Sequence, residues 1–198
     1  MKKQTMLLLL GCLMISGCAT RVVERLDTAE TVDLSTRWND TDSRVVASEM
    51  VKEALARPWV DQFQQKKGKP PMVIIGTVLN KTHDHIPTET FTKDLERELF
   101  NSGRVTFVAS KSERDEIREE RADQQENASK DTVNQNRNET GANYMLKGVI
   151  NSFEEQVDKK SYKYFQVTLE MIDMEKNTKV WFGDKKIKKL MTKKKFGF

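Results

Sequence analysis

The sequence predicts an α/β fold, a single-domain sandwich in which helices flank a mixed sheet of four or five strands. Three observations support this prediction. Residues 72–79 form a short, nearly continuous apolar run rich in β-branched side chains, which is typical of a buried strand. Amphipathic helical patterns precede and follow that run. Three further strand-like segments follow one another closely near the C-terminus.

The first helix is predicted over residues 43–57, and Asp42 or Ser43 is placed to cap its free N–H groups. Three apolar residues recur at every fourth position and give this helix one apolar face: Val46, Met50 and Ala54. Because proline lacks an N–H and fixes φ, Pro58 ends or kinks the helix, or begins a second turn that carries Trp59.

The strand at residues 72–79 is predicted to lie centrally in the sheet and to lead into a polar loop at residues 80–87. Thr88 is placed to cap the next helix, which ends before Gly103. The apolar stripe of that helix consists of Phe91, Leu95 and Leu99. Residues 105–109 form a short second strand, so this order of elements predicts a βαβ unit.

Residues 111–121 favour a helix that buries little, since they contain one apolar side chain. Residues 124–138, which are polar and rich in Asn and Gln, predict a mobile loop or a loosely attached helix. Strands are predicted at residues 144–157, 162–173 and 180–187, the last two as an antiparallel hairpin. In the middle strand, alternate apolar residues share one face: Phe165, Val167, Leu169 and Met171.

The N-terminus resembles a lipoprotein signal. Lys2 and Lys3 precede an apolar run at residues 6–15, and Gly17 directly precedes Cys18. About ten apolar residues are too few for a mature membrane-spanning helix, which needs about 20. The resemblance implies cleavage after Gly17, a diacylglyceryl group on the Cys18 sulfur and an acyl group on the new amine. An ordinary signal peptide with an incidental cysteine is the alternative.

We expect four parts along the chain: a signal peptide (1–17), a lipid-anchored tether (18–42), a globular α/β domain (43–190) and a basic C-terminal tail (191–198). The tether reaches at most roughly 80 Å when fully extended.

Loss of the signal lowers the formal net charge from +4 to +2, so charge argues only weakly for a polyanionic partner. Both cysteines lie within the first 18 residues, which excludes a disulfide framework from the domain. Export also argues against nucleic acid as a partner.

Few residues suggest catalysis. The two histidines, His83 and His85, lie in the same predicted loop, whereas a stable metal site needs three or four ligands. We therefore expect exposed loop histidines, no metal, no cofactor and no catalytic residues. The sequence contains no nucleophile elbow and no zinc-protease motif. Acidic residues are plentiful, so a cell-wall hydrolase stays open as an alternative.

Two features suggest binding. The chain ends in a group of lysines. We favour the interpretation that they form a charged edge strand and a solvated tail. The alternative is that they contact anionic lipid or cell-wall polymer. This group comprises Lys185, Lys186, Lys188, Lys189, Lys193, Lys194 and Lys195. Trp38 lies in an otherwise polar stretch of the sequence, so it either packs back on the domain or contacts a partner. Trp59 and Trp181 belong to patterned elements and are expected in the core.

A series of motifs spans nearly the whole mature chain and lies at residues 37–43, 58–59, 75–82, 101–103, 107–108, 141–150, 164–167, 173 and 180–183. Taken in order, these motifs resemble those of the LpoB-type penicillin-binding protein activator lipoproteins. The resemblance implies a small α/β domain similar to the N-terminal domain of TolB and related to CsgG. It also implies that the protein is no enzyme and takes no cofactor and no small-molecule substrate.

The resemblance further implies an outer-membrane anchor, and binding to a docking domain of a class A penicillin-binding protein whose glycan polymerisation is stimulated. Loops on a rigid scaffold commonly hold recognition residues, so the candidate partner-binding residues come from the loop at residues 80–87 and from the segment around Trp38, which we call the tryptophan segment. They are Trp38, Asn39, Asp40, Asn80, Lys81, Thr82, His83 and His85.

The tether departs from the family pattern, because well-known members carry a long proline-rich tether and this one is short and lacks proline. Reaching an inner-membrane synthase then requires a thinner periplasm, a partner that projects outward, or another partner. The alternative function is a CsgG-like oligomeric export or envelope-assembly lipoprotein. Residues 111–138 are the one insertion large enough for a pore hairpin, and they lack the alternation of a barrel strand.

Overall fold

A computed structural model describes residues 24–27, 30–33, 35–134 and 138–192. The chain divides into two units, Met1–Thr31 and Val32–Phe198, and the helices and strands of the described residues belong to the second unit. The helices are α1 (Asp40–Leu55), α2 (Trp59–Lys67), α3 (Thr88–Asn101) and α4 (Lys111–Asn127). The strands are β1 (Met72–Asn80), β2 (Thr106–Phe107), β3 (Tyr144–Val157), β4 (Lys160–Asp173) and β5 (Thr178–Thr192). The predicted signal peptide and Cys18 lie outside the described residues.

The strands form one mixed sheet in the order β2-β1-β3-β4-β5, which confirms the predicted fold class. β1 runs parallel to both β2 and β3, and the pairs β3–β4 and β4–β5 are antiparallel. The predicted strand at residues 105–109 is reduced to two residues. β5 continues to Thr192, beyond the predicted end of the domain, because its pairing with β4 extends to Lys160.

The core lies between one face of the sheet and the helices α1 and α3, and α2 contributes Trp59 and Val60 to it. α1 packs against α3, β4 and β5, and α3 also packs against β1 and β2. The predicted apolar stripe of α3 is fully buried, as are the alternate apolar residues of β4. Trp59 and Trp181 are also buried, as predicted. Each such large apolar side chain contributes about 1.5–3 kcal/mol to folding, so this layer holds the domain together.

Helix starts are where the sequence prediction was wrong. α1 begins at Asp40, and its cap is Asn39 rather than Asp42 or Ser43. The Asn39 Oδ1 accepts from the Asp42 N–H at 3.0 Å, and the Asp42 Oδ2 accepts from the Asn39 N–H at 2.9 Å. The first helix therefore begins three residues before its predicted start at residue 43. Thr88 is likewise the first residue of α3 and not its cap.

α4 is longer than the predicted helix at residues 111–121, and none of its residues, all of which are described, is buried. Its start is held by a capping box between Ser110 and Glu113. The Glu139 carboxylate accepts two hydrogen bonds from the Arg118 guanidinium, both 2.8 Å long. α4 is thus fastened by surface charges, in line with the predicted small buried area. Within the described residues, no helix has the length and apolar character needed to cross a membrane.

Candidate docking site

The predicted loop between β1 and α3 is shaped by its own side chains. The Asn80 Oδ1 accepts from the N–H and the hydroxyl of Thr82 at 2.9 and 2.8 Å. The Asn80 Nδ2 donates to the carbonyl of Asp84 at 2.8 Å. The Lys81 N–H donates to the carbonyl of Ile150 at 2.8 Å, which joins the start of the loop to β3. Asn80 and Thr82 are therefore occupied in holding the loop.

Among the exposed residues of the loop, three carry an ionisable side chain: Lys81, His83 and His85. Within the described part of the chain, no three His, Cys, Asp or Glu side chains are grouped closely enough to hold a metal ion. An ammonium group and two imidazoles on a well-held loop can donate and accept hydrogen bonds with a partner protein. The loop is therefore suited to recognition.

Lys163 of β4 joins the loop to the sheet, and the sequence analysis missed this residue. Its Nζ lies 2.7 Å from the Asp84 Oδ1 and 3.6 Å from a Glu154 carboxylate oxygen. The Lys163 side chain is only 7% exposed. Its Nζ also lies 5.7 Å from the centre of the Phe165 ring. The Asp84 Oδ2 is buried and has no hydrogen-bond partner among the described residues.

Trp38 packs on the domain, which is one of the two predicted alternatives. Its ring meets the rings of Phe91 and Phe165 edge-on, with centroid distances of 5.9 and 5.4 Å. Asn39 caps α1, whereas Asp40 is exposed and pairs with Arg44 at 3.3 Å. Phe165 thus touches both the tryptophan segment and the lysine that holds the loop. The structure brings the two predicted segments together around one buried ring.

Lys189 of β5 holds the tryptophan segment. Its Nζ lies 2.6 Å from the Asp42 Oδ2 and 2.8 Å from the Asp33 Oδ1, and it donates to the carbonyl of Arg37 at 3.0 Å. The hydrogen bond from Lys189 lowers the pKa of Asp33. Lys189 was expected on a charged, solvated edge, but its side chain is only 7% exposed. Lys193, Lys194 and Lys195 lie outside the described residues.

The opposite face of the β3–β4–β5 sheet carries an exposed aromatic and basic cluster, which we call the outer patch. Phe153, Tyr164 and Lys188 lie side by side across the three strands, and Tyr162 and Leu190 form the next pair. Phe153 and Leu190 are 63% and 54% exposed. The Lys188 Nζ lies 5.4 and 4.8 Å from the ring centres of Tyr162 and Tyr164. The hydrogen bond to Tyr164 raises the pKa of Lys188.

The outer patch has the composition of a contact surface, because clustered exposed apolar groups with a polar rim commonly mark interaction sites. Sequence reasoning identified the apolar face of β4, at Phe165 to Met171, but did not find the patch on its other face. The pairing register of β3, β4 and β5 assembles it, and that register was not visible in the sequence.

A family model described as peptidoglycan-synthase activator LpoB matches residues 42–187. The chain is also similar to the solved LpoB C-terminal domain from Escherichia coli, with 17% identity, a TM-score of 0.44, and coverage of 74% of this chain and 98% of that chain. Lipoprotein GNA1162 from Neisseria meningitidis is 11% identical, with a TM-score of 0.42 and coverage of 64% and 88%. Comparison with curated proteins found no match.

The family match begins within α1 and ends within β5, so it takes in most of α1, the other helices of the core and nearly all of the sheet. Proteins of this family are envelope lipoproteins of the periplasmic space. The chain therefore belongs to the LpoB family of peptidoglycan-synthase activators, which are regulatory proteins and not enzymes.

Proposed function

We propose that this protein is an outer-membrane lipoprotein that binds a class A penicillin-binding protein and raises its rate of glycan polymerisation. The family match over residues 42–187 is the observation that carries the proposal. An activator of this kind binds the active conformation of the synthase more tightly than the resting one, and so shifts the population toward activity. Such a mechanism needs protein contact and no chemistry on the activator.

The lipid anchor is proposed at Cys18, on the signal-like layout of the first 18 residues. Ala19 after the cysteine fits sorting to the outer membrane. Metabolic labelling with palmitate should mark the wild-type chain and leave Cys18→Ser unlabelled. Membrane fractionation should place the labelled chain with the outer membrane. Label on the Cys18→Ser variant, or a soluble wild-type chain, would contradict the anchor.

Because the compact unit begins at Val32, we propose a tether that is shorter than expected and comprises residues 18–31. These residues span at most roughly 50 Å when fully extended. With so short a tether, we propose that the docking domain of the synthase projects toward the outer membrane. Lengthening the tether with a flexible insert at residue 24 should leave activation in cells unchanged or increase it, while deletion of residues 20–31 should abolish it.

The proposed docking surface comprises two regions: the exposed residues of the predicted set and, on the opposite face of the sheet, the outer patch. Asp40, Lys81, His83 and His85 are exposed and can contact the partner, whereas Trp38, Asn39, Asn80 and Thr82 act by holding the surface in shape. Tyrosine rings and their neighbouring lysines match a partner surface with an apolar centre and an acidic rim. This is the chemistry that we propose for the docking domain.

Glycan polymerisation by the purified class A penicillin-binding protein of the same cell tests the proposal directly. The rate should rise saturably on addition of residues 19–198, with about one activator bound per synthase. The same addition to an unrelated glycosyltransferase controls for non-specific effects. If the rate and the synthase's mobility in a binding assay both stay unchanged, the partner assignment is wrong and another envelope protein must be sought.

A further inference from the structure

Lys163 and Lys189 lie directly opposite each other on β4 and β5. Both side chains are only 7% exposed. Like charges at directly opposed positions destabilise a sheet, and lysine is almost never buried without a partner. The adjacent pair along the same strands, Phe165 and Ile187, is apolar as expected for this face. Two buried lysines at this point therefore need a specific reason.

Each lysine is paired most closely with a carboxylate from outside the sheet, and Glu154 of β3 lies farther away, 3.6 Å from the Lys163 Nζ. Lys163 binds Asp84 of the loop between β1 and α3, at 2.7 Å. Lys189 binds Asp42 at 2.6 Å and Asp33 at 2.8 Å, and it also donates to the carbonyl of Arg37. Each lysine is thus bound to one of the two segments that the sequence predicts to recognise the partner.

The internal hydrogen bonds of the loop set its shape but not its position against β4. The side chains of Asn80 and Thr82 bond within the loop itself, whereas the Asp84 carboxylate reaches Lys163 on the sheet. Trp38 shares the Phe165 ring with Lys163, so the two segments are packed on the same core residue. A shift of either segment would disturb the contacts of the other.

Stability alone does not explain these ion pairs. Replacing a buried ion pair with apolar residues of similar volume is often neutral or stabilising, so such a pair serves to select one arrangement. We propose that Lys163 and Lys189 are positioning residues that hold the loop at residues 80–87 and the tryptophan segment (residues 35–42) in one arrangement for partner docking. The proposal rests on the proposed function for what the two segments bind, and on the geometry alone for how they are held.

The test uses the mature chain carrying Cys18→Ser and removes each charge pair without leaving a buried charge. Lys163→Met with Asp84→Leu replaces the first pair by apolar residues of similar shape. Lys189→Met with Asp42→Asn removes the second, and the asparagine keeps an oxygen for the Asn39 N–H. Lys186→Met, an exposed lysine of the same strand, is the matched control.

Two readouts separate positioning from stability and from synthase binding. Hydrogen exchange at the Lys81, Thr82 and Asp84 amides reports the order of the loop, since all three donate hydrogen bonds. Affinity for the class A penicillin-binding protein reports docking. For Lys163→Met with Asp84→Leu, we expect exchange at least tenfold faster and affinity at least tenfold weaker, with a melting temperature near that of wild type. Lys189→Met with Asp42→Asn should weaken the affinity similarly, and it should speed hydrogen exchange at the amides of the tryptophan segment.

Exchange at the wild-type rate in both double variants overturns the proposal, whether or not the synthase binds. Faster exchange with wild-type affinity overturns the docking role. If the wild-type chain binds no synthase, the proposed function fails, and exchange still decides whether the lysines position the segments. Should the first double variant fail to fold, Asp84→Asn replaces it. That variant should speed exchange of the same amides, and an unchanged rate contradicts the proposal.

Discussion

The indole of Trp181 lies over Gly183 on the same strand, β5, so that a side chain at residue 183 would overlap its six-membered ring. Trp181 is buried, and its Nε1–H donates to the Glu53 carboxylate of α1 at 3.4 Å. Gly183 lies opposite Leu169, which has Gly148 as its other neighbour across the sheet. The two glycines leave room for large side chains where α1 packs on the sheet.

Gly183→Ala should therefore destabilise the domain by about 1–3 kcal/mol, because the added methyl group overpacks the core against the indole. Urea unfolding measures the change. Gly141→Ala is the control, since a Cβ there meets nothing within 4 Å. A Gly183→Ala variant as stable as the control would show that the indole moves aside without strain.

Trp38→Ala should destabilise the domain by about 2–4 kcal/mol, because the half-buried indole loses its edge-on contacts with Phe91 and Phe165. Phe100→Ala serves as the control for loss of an aromatic ring, since Phe100 is 69% exposed, and should change stability by less than about 0.5 kcal/mol. If both variants unfold at the same urea concentration, the Trp38 ring does not contribute to packing.

The two capping boxes should respond differently to the same change. Asn39→Ala should lower the free energy of unfolding by about 1 kcal/mol, because α1 forms part of the core. Ser110→Ala should instead loosen the start of α4 and leave global unfolding almost unchanged, because α4 has no buried residue. Urea unfolding and amide exchange of α4 distinguish the two effects. Equal loss of global stability would mean that α4 unfolds together with the core.

Acid should loosen the start of α4. The hydrogen bond from Lys93 is the main cause that lowers the pKa of Glu113 to about 2. Hydrogen bonds with the backbone N–H and the side chain of Ser110 lower it further. A carboxylate with a lowered pKa stabilises the fold above its unfolded pKa of about 4.3, and this contribution is lost as the pH falls toward 2. Amide exchange of α4 should therefore speed up over that range after correction for its intrinsic pH dependence.

Glu113→Gln should remove most of this acid dependence, because glutamine does not titrate. Glu119→Gln, a change of the same kind farther along α4, should preserve it. An NMR titration that finds the Glu113 pKa near its ordinary value would contradict the interpretation.

The outer patch should carry binding energy if it docks the synthase. Tyr164→Ala should weaken synthase binding at least about tenfold, since aromatic residues at the centre of an interface commonly contribute more than 1 kcal/mol. Phe153→Ala should have a similar effect, while the exposed Phe100→Ala on α3 should have none. Activation by both patch variants at wild-type level would move the docking surface to another face of the domain.

Much of the fold was visible in the sequence where one periodicity extended over several turns or residues. The stripe of Phe91, Leu95 and Leu99 predicted α3, and β3 was predicted with the bounds that the structure has. Element ends were predicted less well, because a cap depends on which backbone N–H a side chain reaches. Asn39, Asp42 and Ser43 are all competent caps by composition, and the turn at Asn39 decided among them.

The candidate site was only half predictable for a related reason. The loop at residues 80–87 could be placed by its polar composition, but its fastening to Lys163 joins residues 79 positions apart in the chain. The burial of Lys189 was missed because a lysine among lysines is typical of a solvated edge. The ion pairs of Lys189 with Asp33 and Asp42 depend on where the start of α1 lies relative to β5.

The sequence by itself determined the class of fold, the helices and strands of the core, and the motifs that mark the family, because these depend on local periodicity and residue type. The tertiary structure alone decided that Trp38 packs around Phe165, that two buried lysines hold the recognition segments, and that Phe153, Tyr164 and Lys188 form one patch. These contacts depend on strand register and helix placement. Both result from burying apolar surface that is distant in sequence, so no local pattern encodes them.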